Sequence, residues 1–223
     1  MGSTSHIRAV LLDMDGTLID SLGDIANSMN EVLIELGFSP HPLAAYRHMV
    51  GDGAAALVAR ALPEAARESL HADALSRYKS RYSGHLVGTS RPYDGVRAML
   101  DALRERGIPR AILTNKPHQP ALELVHALLG DVPFDAILGQ RDGVPHKPHP
   151  AGALELAARL DVEPATCAFV GDTDVDMKTA RNAGMIAVGV SWGFRDRDEL
   201  WANGAELILD HPMDLIRWLD TRR

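Results

Sequence analysis

Hydrophobic positions along this chain follow two different rhythms. Residues 7–12 form a short, almost continuous aliphatic run, the pattern of a strand buried on both faces in a parallel sheet, and it stops abruptly at Asp13-Met14-Asp15-Gly16. From about residue 20 to His85 the pattern is helical. Leu22, Ile25, Met29, Val32, Leu33 and Leu36 share one face and Gly37 is a stop signal. Shorter helices are predicted over 43–50 and 54–62, and a longer one over 64–82 after Pro63, with no strand between them.

From Asp94 strands and helices alternate. A helix over 95–106 leads to a strand over 109–115, a helix from Pro117 to Gly130 and a strand over 134–138. A proline-rich loop and a helix precede a strand over 166–171. A helix over 175–182, strands over 185–190 and 206–209, and a helix over 212–219 complete the series. Such alternation with right-handed crossovers predicts an α/β fold, a three-layer Rossmann-like parallel sheet. The uninterrupted helices read as an all-α cap domain inserted into that core, or as helices that simply cover one end of the sheet. The expected division is residues 1–20 and 92–223 for the core and 21–91 for the helical cap. Gly84, Gly88 and Pro92 mark the return, with hinges near 19–22 and 89–92.

Composition narrows the function classes. The 223 residues are 46% hydrophobic and 24% charged, enough for a core plus a smaller second domain. A net charge of -7 argues against a general nucleic-acid binder, which needs a basic face, but leaves room for a small phosphorylated substrate at a locally positive site. Cys167 is the only cysteine, so no intrachain disulfide can form, and its apolar neighbours predict burial. No apolar run reaches membrane-spanning length and the N-terminus lacks a signal-peptide pattern, so the expected location is cytoplasmic. Residues 1–5 read as a flexible polar leader and Arg222-Arg223 as a frayed end.

Candidate chemistry gathers where strands stop. Asp13 and Asp15 lie at the carboxyl end of the first strand, where open α/β sheets bind ligands. Carboxylates this close repel unless a cation or shared proton separates them, and all-oxygen sites suit Mg²⁺; a turn is the simpler alternative for Asp-Gly. The strand over 109–115 ends in Thr114 and Asn115. Lys147 is framed by Pro145 and Pro148, which forbid regular structure around it. A second strand ends in Gly171-Asp172-Thr173-Asp174, with Asp176 entering a helix, suggesting metal ligation or helix capping. In the helical insert, Gly51-Asp52-Gly53 precedes a helix and reads either as a turn or as a site where backbone N–H groups meet an anion. The ten histidines show no metal-ligand spacing, and Trp192, Trp201 and Trp218 read as packing.

Taken together these groups meet the needs of phosphoryl transfer: a nucleophilic carboxylate, a second carboxylate as acid and base, and Mg²⁺, lysine and neutral donors for the phosphoryl oxygens. The combination resembles haloacid dehalogenase superfamily hydrolases, in the phosphoglycolate-phosphatase-like branch with a helical cap of the C1 type. Asp13 to Thr17 match the first motif, Thr114 the second, Lys147 the third, and Gly171, Asp172 and Asp176 the fourth. The resemblance implies that Asp13 is the nucleophile and Asp15 the general acid/base. It implies Mg²⁺ on Asp13, the Asp15 carbonyl and Asp172, with Asp176 supporting from outside. Gly16, Thr17, Thr114, Asn115 and Lys147 would serve the phosphoryl group, and Gly51, Asp52 and Gly53 the rest of the substrate. The expected partner is a small phosphorylated metabolite such as 2-phosphoglycolate, with no nucleic acid or membrane, for a monomer or homodimer. A phosphosugar mutase or phosphotransferase, or a non-catalytic regulatory protein, are the alternatives. A dehalogenase fits poorly, because those enzymes lack the second Asp of the first motif.

Overall fold

The computed structural model describes residues 6–84 and 87–222. The expected leader over 1–5, the end of the chain at Arg223 and the helical pattern where it reaches His85 lie outside the described residues. In chain order the elements are β1 (Ala9–Leu12), β2 (Ile19–Asp20), α1 (Leu22–Glu35), α2 (Leu43–Met49), α3 (Ala54–Ala61) and α4 (Glu64–Gly84). Next come β3 (Arg91–Pro92), α5 (Val96–Glu105), β4 (Arg110–Pro117), α6 (His118–Leu129), β5 (Ala136–Gln140) and α7 (Ala151–Arg159). The chain continues through β6 (Cys167–Gly171), α8 (Asp174–Asn182), β7 (Ile186–Val190), α9 (Arg197–Ala202), β8 (Leu207–Leu209) and α10 (Pro212–Asp220).

Six of these strands form one parallel sheet in the order β5-β4-β1-β6-β7-β8. The chain builds outward from β1 on one side, then returns to β1's other edge and builds the opposite way. That reversal places a crevice beside the carboxyl end of β1, because the connections leaving its two neighbours diverge to opposite faces. The period of two sorts the strand side chains. Val10, Leu12 and Val170 join Val96, Leu100, Leu103, Leu124, Leu215 and Leu219 on one face. Ala9, Leu11 and Phe169 join Leu156, Ala157, Met177 and Leu200 on the other.

Helices α1 to α4 pack on one another around a third apolar cluster that includes Ile25, Met29, Leu33, Tyr46, Leu57, Val58 and Tyr78. No helix among the described residues is long and apolar enough to cross a membrane.

Local differences from the sequence expectation have local causes. The strand pattern of 109–115 continues to Pro117, so Thr114 and Asn115 lie within β4, where its register with β5 shifts between Leu113 and Pro117. Helix α4 extends to Gly84, making that glycine its last residue rather than the start of the return. Strand β5 lies two residues later than its apolar pattern because Phe134 packs against the core from the preceding loop. The two-residue strands β2 and β3 pair antiparallel, Ile19 with Pro92 and Asp20 with Arg91, and are too short to show a period. Helix α9 has only six residues and is set by its Asp196 N-cap, whose side chain accepts from the Glu199 N–H.

Candidate active site

Strand β1 ends at Leu12, and the Asp13 N–H still bonds to the Val170 carbonyl at 2.9 Å, so the first carboxylate is held in register with β6. The chain then folds back sharply: the amides of Thr17, Leu18 and Ile19 all approach the Met14 carbonyl, at 3.3, 3.0 and 2.9 Å. Gly16 makes this turn with φ +88, and a Cβ there would fall 2.2 Å from an Asp172 carboxylate oxygen. Both the backbone conformation and the space demand glycine.

Asp13, Asp172 and Asp176 are buried, and one carboxylate oxygen from each lies within 4.8 Å of the other two. Burial and the neighbouring Asp176 push the Asp13 carboxyl up to about 7. Burial, then Asp176 and Asp13, likewise hold Asp172 well above the ordinary carboxylate range. Lys147 Nζ lies 2.8 Å from Asp13 Oδ1 and 2.6 Å from Asp176 Oδ1. Burial disfavours its charge, but the two aspartates outweigh that and keep the ammonium firmly protonated. One ammonium does not balance three carboxylates, and an all-oxygen donor set of this kind suits a hard divalent cation. The residues present therefore fit such a metal.

The other expected residues have definite places. Thr17 Oγ1 donates to Asp172 Oδ1 at 3.0 Å, the Phe194 N–H donates to Asp172 Oδ2 at 2.8 Å, and the Trp192 indole donates to the Thr17 carbonyl at 3.0 Å. Thr17 thus faces Asp172. Asp176 Oδ2 accepts from the Thr173 N–H and hydroxyl at 3.0 and 2.7 Å, so the same residue that binds Lys147 also caps α8. The Asn115 side chain donates to the carbonyls of Gly51 and Lys147 at 2.9 and 3.1 Å and accepts from the Lys147 N–H at 2.9 Å, bracing the lysine loop against the loop before α3.

Asp15 turns away from the three-carboxylate cluster. Its Oδ2 lies 2.8 Å from Lys116 Nζ, and its Oδ1 accepts from the Ser21 hydroxyl at 2.6 Å. Gly51 and Gly53 line the cavity above Asp13, but the Asp52 carboxylate pairs with Arg60 and does not line it. Gly53 has φ +87 and precedes α3 as a turn.

That cavity measures about 260 Å³, room for a small molecule. Asp13, Asp15, Thr114 and Lys116 line its floor; Ile25, Leu57, Tyr78 and Tyr82 line the wall made by the helical insert. Lys116, Tyr78 and Tyr82 were not singled out from the sequence. A signal existed in each case: Lys116 directly follows Thr114-Asn115 at the end of the apolar run 111–113 and precedes Pro117, and the tyrosines stand four residues apart on the strongly polar α4. The insert is also tied to the core directly. Arg47 donates to the Phe194 and Gly193 carbonyls at 3.1 and 2.5 Å, and Arg195 donates to the Val50 carbonyl at 2.9 Å.

A parallel α/β sheet with a buried lysine–carboxylate cluster at its topological switch and a helical insert over it suits chemistry on a phosphoryl group. The haloacid dehalogenase-like hydrolase profile matches residues 7–184, and the chain belongs to that family. It is 39% identical to the phosphoglycolate phosphatase of Xylella fastidiosa, with 96% of this chain and 94% of that protein covered. It is 34% identical to that of Rhodospirillum rubrum, with 95% and 90% covered. A proposed phosphoglycolate phosphatase from Lactobacillus delbrueckii subsp. bulgaricus superposes with a TM-score of 0.91 at 28% identity, covering 96% of this chain and 98% of the other.

Proposed function

We propose that the protein is a Mg²⁺-dependent phosphomonoesterase that works through an aspartyl-phosphate, with 2-phosphoglycolate as its leading substrate. The observation that carries this reading is the placement of Asp13: it faces the cavity, touches Lys147 and belongs to a carboxylate cluster fit for a divalent cation. The named activity of its relatives and the small cavity support the substrate.

In this reading an Asp13 carboxylate oxygen attacks phosphorus as the ester P–O bond breaks, and Asp15 protonates the departing alkoxide. Asp15 then takes a proton from the water that attacks the aspartyl-phosphate, releasing inorganic phosphate and restoring Asp13. Lys147, the Thr114 hydroxyl and the Asn115 main-chain N–H offset charge on the phosphoryl oxygens, since the Asn115 side chain is engaged elsewhere. Asp13, the Asp15 carbonyl and Asp172 would hold Mg²⁺, which neutralises developing charge when bound. Asp176 acts through Lys147, while Gly16 and Thr17 serve the site by shaping and bonding Asp172.

Residues 21–91 act as the cap on a core of 1–20 and 92–223, with β2 and β3 bringing the two connections side by side. Cap closure excludes bulk water from the intermediate. A single buried, unpaired cysteine supports a cytoplasmic setting.

The test is phosphate release from 2-phosphoglycolate, β-glucose 1-phosphate and pyrophosphate, with Mg²⁺ and with a chelator. Chelator-sensitive release favouring 2-phosphoglycolate is the expected result. Silence on every ester would overturn the phosphatase reading, and transfer of the phosphoryl group to a sugar hydroxyl without phosphate release would replace it with a transferase.

A further inference from the structure

Lys116 has no part in the reaction outlined above, yet it is among the best-buried cations of the protein. Its Nζ approaches both Asp15 oxygens, at 3.1 and 2.8 Å, and lies 4.5 Å from the centre of the Tyr82 ring. Thr114 and Lys116 both line the cavity, two residues apart on β4, a spacing that puts alternate side chains on one side of a strand roughly 6–7 Å apart at the backbone. A phosphoryl group beside Thr114 and Asp13 would therefore have the Lys116 ammonium within reach of the far end of a short linker. Tyr82 adds an independent observation. Its ring is buried, it lines the same cavity, and its hydroxyl has no hydrogen-bond partner among the described residues. A buried polar atom without a partner costs stability unless a ligand or water completes it.

The pairing of Lys116 with Asp15 also has to change during turnover. An acid that must reach the departing oxygen cannot remain held by an ammonium on the other side. Breaking that contact in a buried site is costly unless another anion takes the lysine.

We propose that Lys116 receives a carboxylate at the non-phosphoryl end of the substrate, giving up Asp15 for that carboxylate when substrate enters. The Tyr82 ring and hydroxyl complete the carboxylate site. Substrate class and acid–base readiness are then linked through one residue: an ester without the second anion leaves Asp15 paired. This rests on the phosphomonoesterase reading and specifies its substrates as short phosphorylated carboxylic acids.

The test compares 2-phosphoglycolate with 2-hydroxyethyl phosphate, which has the same chain length and a neutral end, in the wild-type enzyme, K116M and K116R with Mg²⁺. A charge-assisted contact predicts that wild type prefers 2-phosphoglycolate by about 10- to 100-fold in kcat/KM, and that K116M loses most of that preference, chiefly through KM. K116R keeps the charge and retains preference for the acid. An equal fall on both esters in K116M, with the preference intact, would mean that Lys116 only orders Asp15 and would overturn the proposal. So would a wild-type enzyme that hydrolyses both esters equally well. Should K116M not fold by its melting curve, the wild-type preference and its persistence in K116R decide the matter, and its absence from both overturns the proposal. Absence of hydrolysis of either ester by wild type is a different result, since it removes the phosphomonoesterase reading itself.

Discussion

Lys147 Nζ sits 2.6 Å from Asp176 Oδ1, and both side chains are almost completely buried. The second Asp176 oxygen is occupied by the N–H and hydroxyl of Thr173 at the start of α8. One carboxylate therefore joins the proline-framed loop to a helix cap, and through Lys147 to Asp13. Replacing Asp176 by Ala removes both connections. The expected loss is about 1–3 kcal/mol of stability, the cost of leaving the Thr173 N–H and hydroxyl without their acceptor while Lys147 keeps Asp13, together with a fall in kcat. Urea denaturation monitored by circular dichroism checks this; a variant within 1 kcal/mol of wild type, on the scale of about ±0.5 for neutral surface changes, would refute the coupling.

Asp13→Asn should remove turnover, by about 10⁴-fold or more, as expected for loss of a nucleophile that acts as part of a unit. It should not weaken the fold in metal-free buffer, because it takes one charge out of a cluster of buried carboxylates. Raising pH acts in the opposite way on the wild type. With the Asp13 carboxyl pushed from 3.8 up to about 7, the folded state holds a proton that the unfolded chain has released. Stability of the chelated protein should therefore fall as pH rises across that window and stay lower above it. Added Mg²⁺ should raise the melting temperature more at pH 8 than at pH 5. A shift of equal size at both values would count against carboxylate ligation.

Asp15→Asn separates the two halves of the reaction. Formation of the aspartyl-phosphate can survive with a good leaving group, but its hydrolysis needs the base, so turnover should drop by about 10²- to 10⁴-fold while phosphoenzyme accumulates. Rapid-quench experiments with a nitrophenyl ester would show a burst stoichiometric with enzyme. Steady release at the wild-type rate would assign the base elsewhere.

Asp24 fastens the return of the chain from the helical insert. Its oxygens accept from the N–H and hydroxyl of Thr89, both at 2.7 Å, and from the N–H and hydroxyl of Ser90, at 2.9 and 2.6 Å. Burial opposes the charge, but the Ser90 and Thr89 donors hold the carboxyl below its ordinary value of 3.8. The stabilisation is complete above that ordinary value and disappears as pH falls through the lower folded one. Asp24→Asn should cost about 1–3 kcal/mol at pH 7 and at pH 5, with the gap from wild type closing only in strong acid. Denaturation midpoints at several pH values test this, and a gap independent of pH would refute a role for the charge.

Elements with a strong period were legible in the sequence. The sheet strands, the helical run from Leu22 onward and the carboxylates at the ends of β1 and β6 all follow from spacing within ten or fifteen residues, because burial imposes periods of two and 3.6 on the chain itself. The motif positions Asp13, Lys147, Asp172 and Asp176 could be named in advance, but their convergence depends on β1 lying between β4 and β6. Strand order decided what each polar side chain meets. It turned Asp15 toward Lys116 and Ser21, Thr17 toward Asp172, and the Asn115 side chain toward Gly51 and Lys147, while the local turn left Asp52 with Arg60. Tertiary structure also set Tyr82 over Lys116, joining a helix of the insert to a core strand. The sequence by itself determined where strands, helices and chemically capable residues lie, since those are properties of short windows. Only the tertiary structure decided which of those residues share a cavity, because contacts across a hundred residues depend on topology and on the charges that burial forces together.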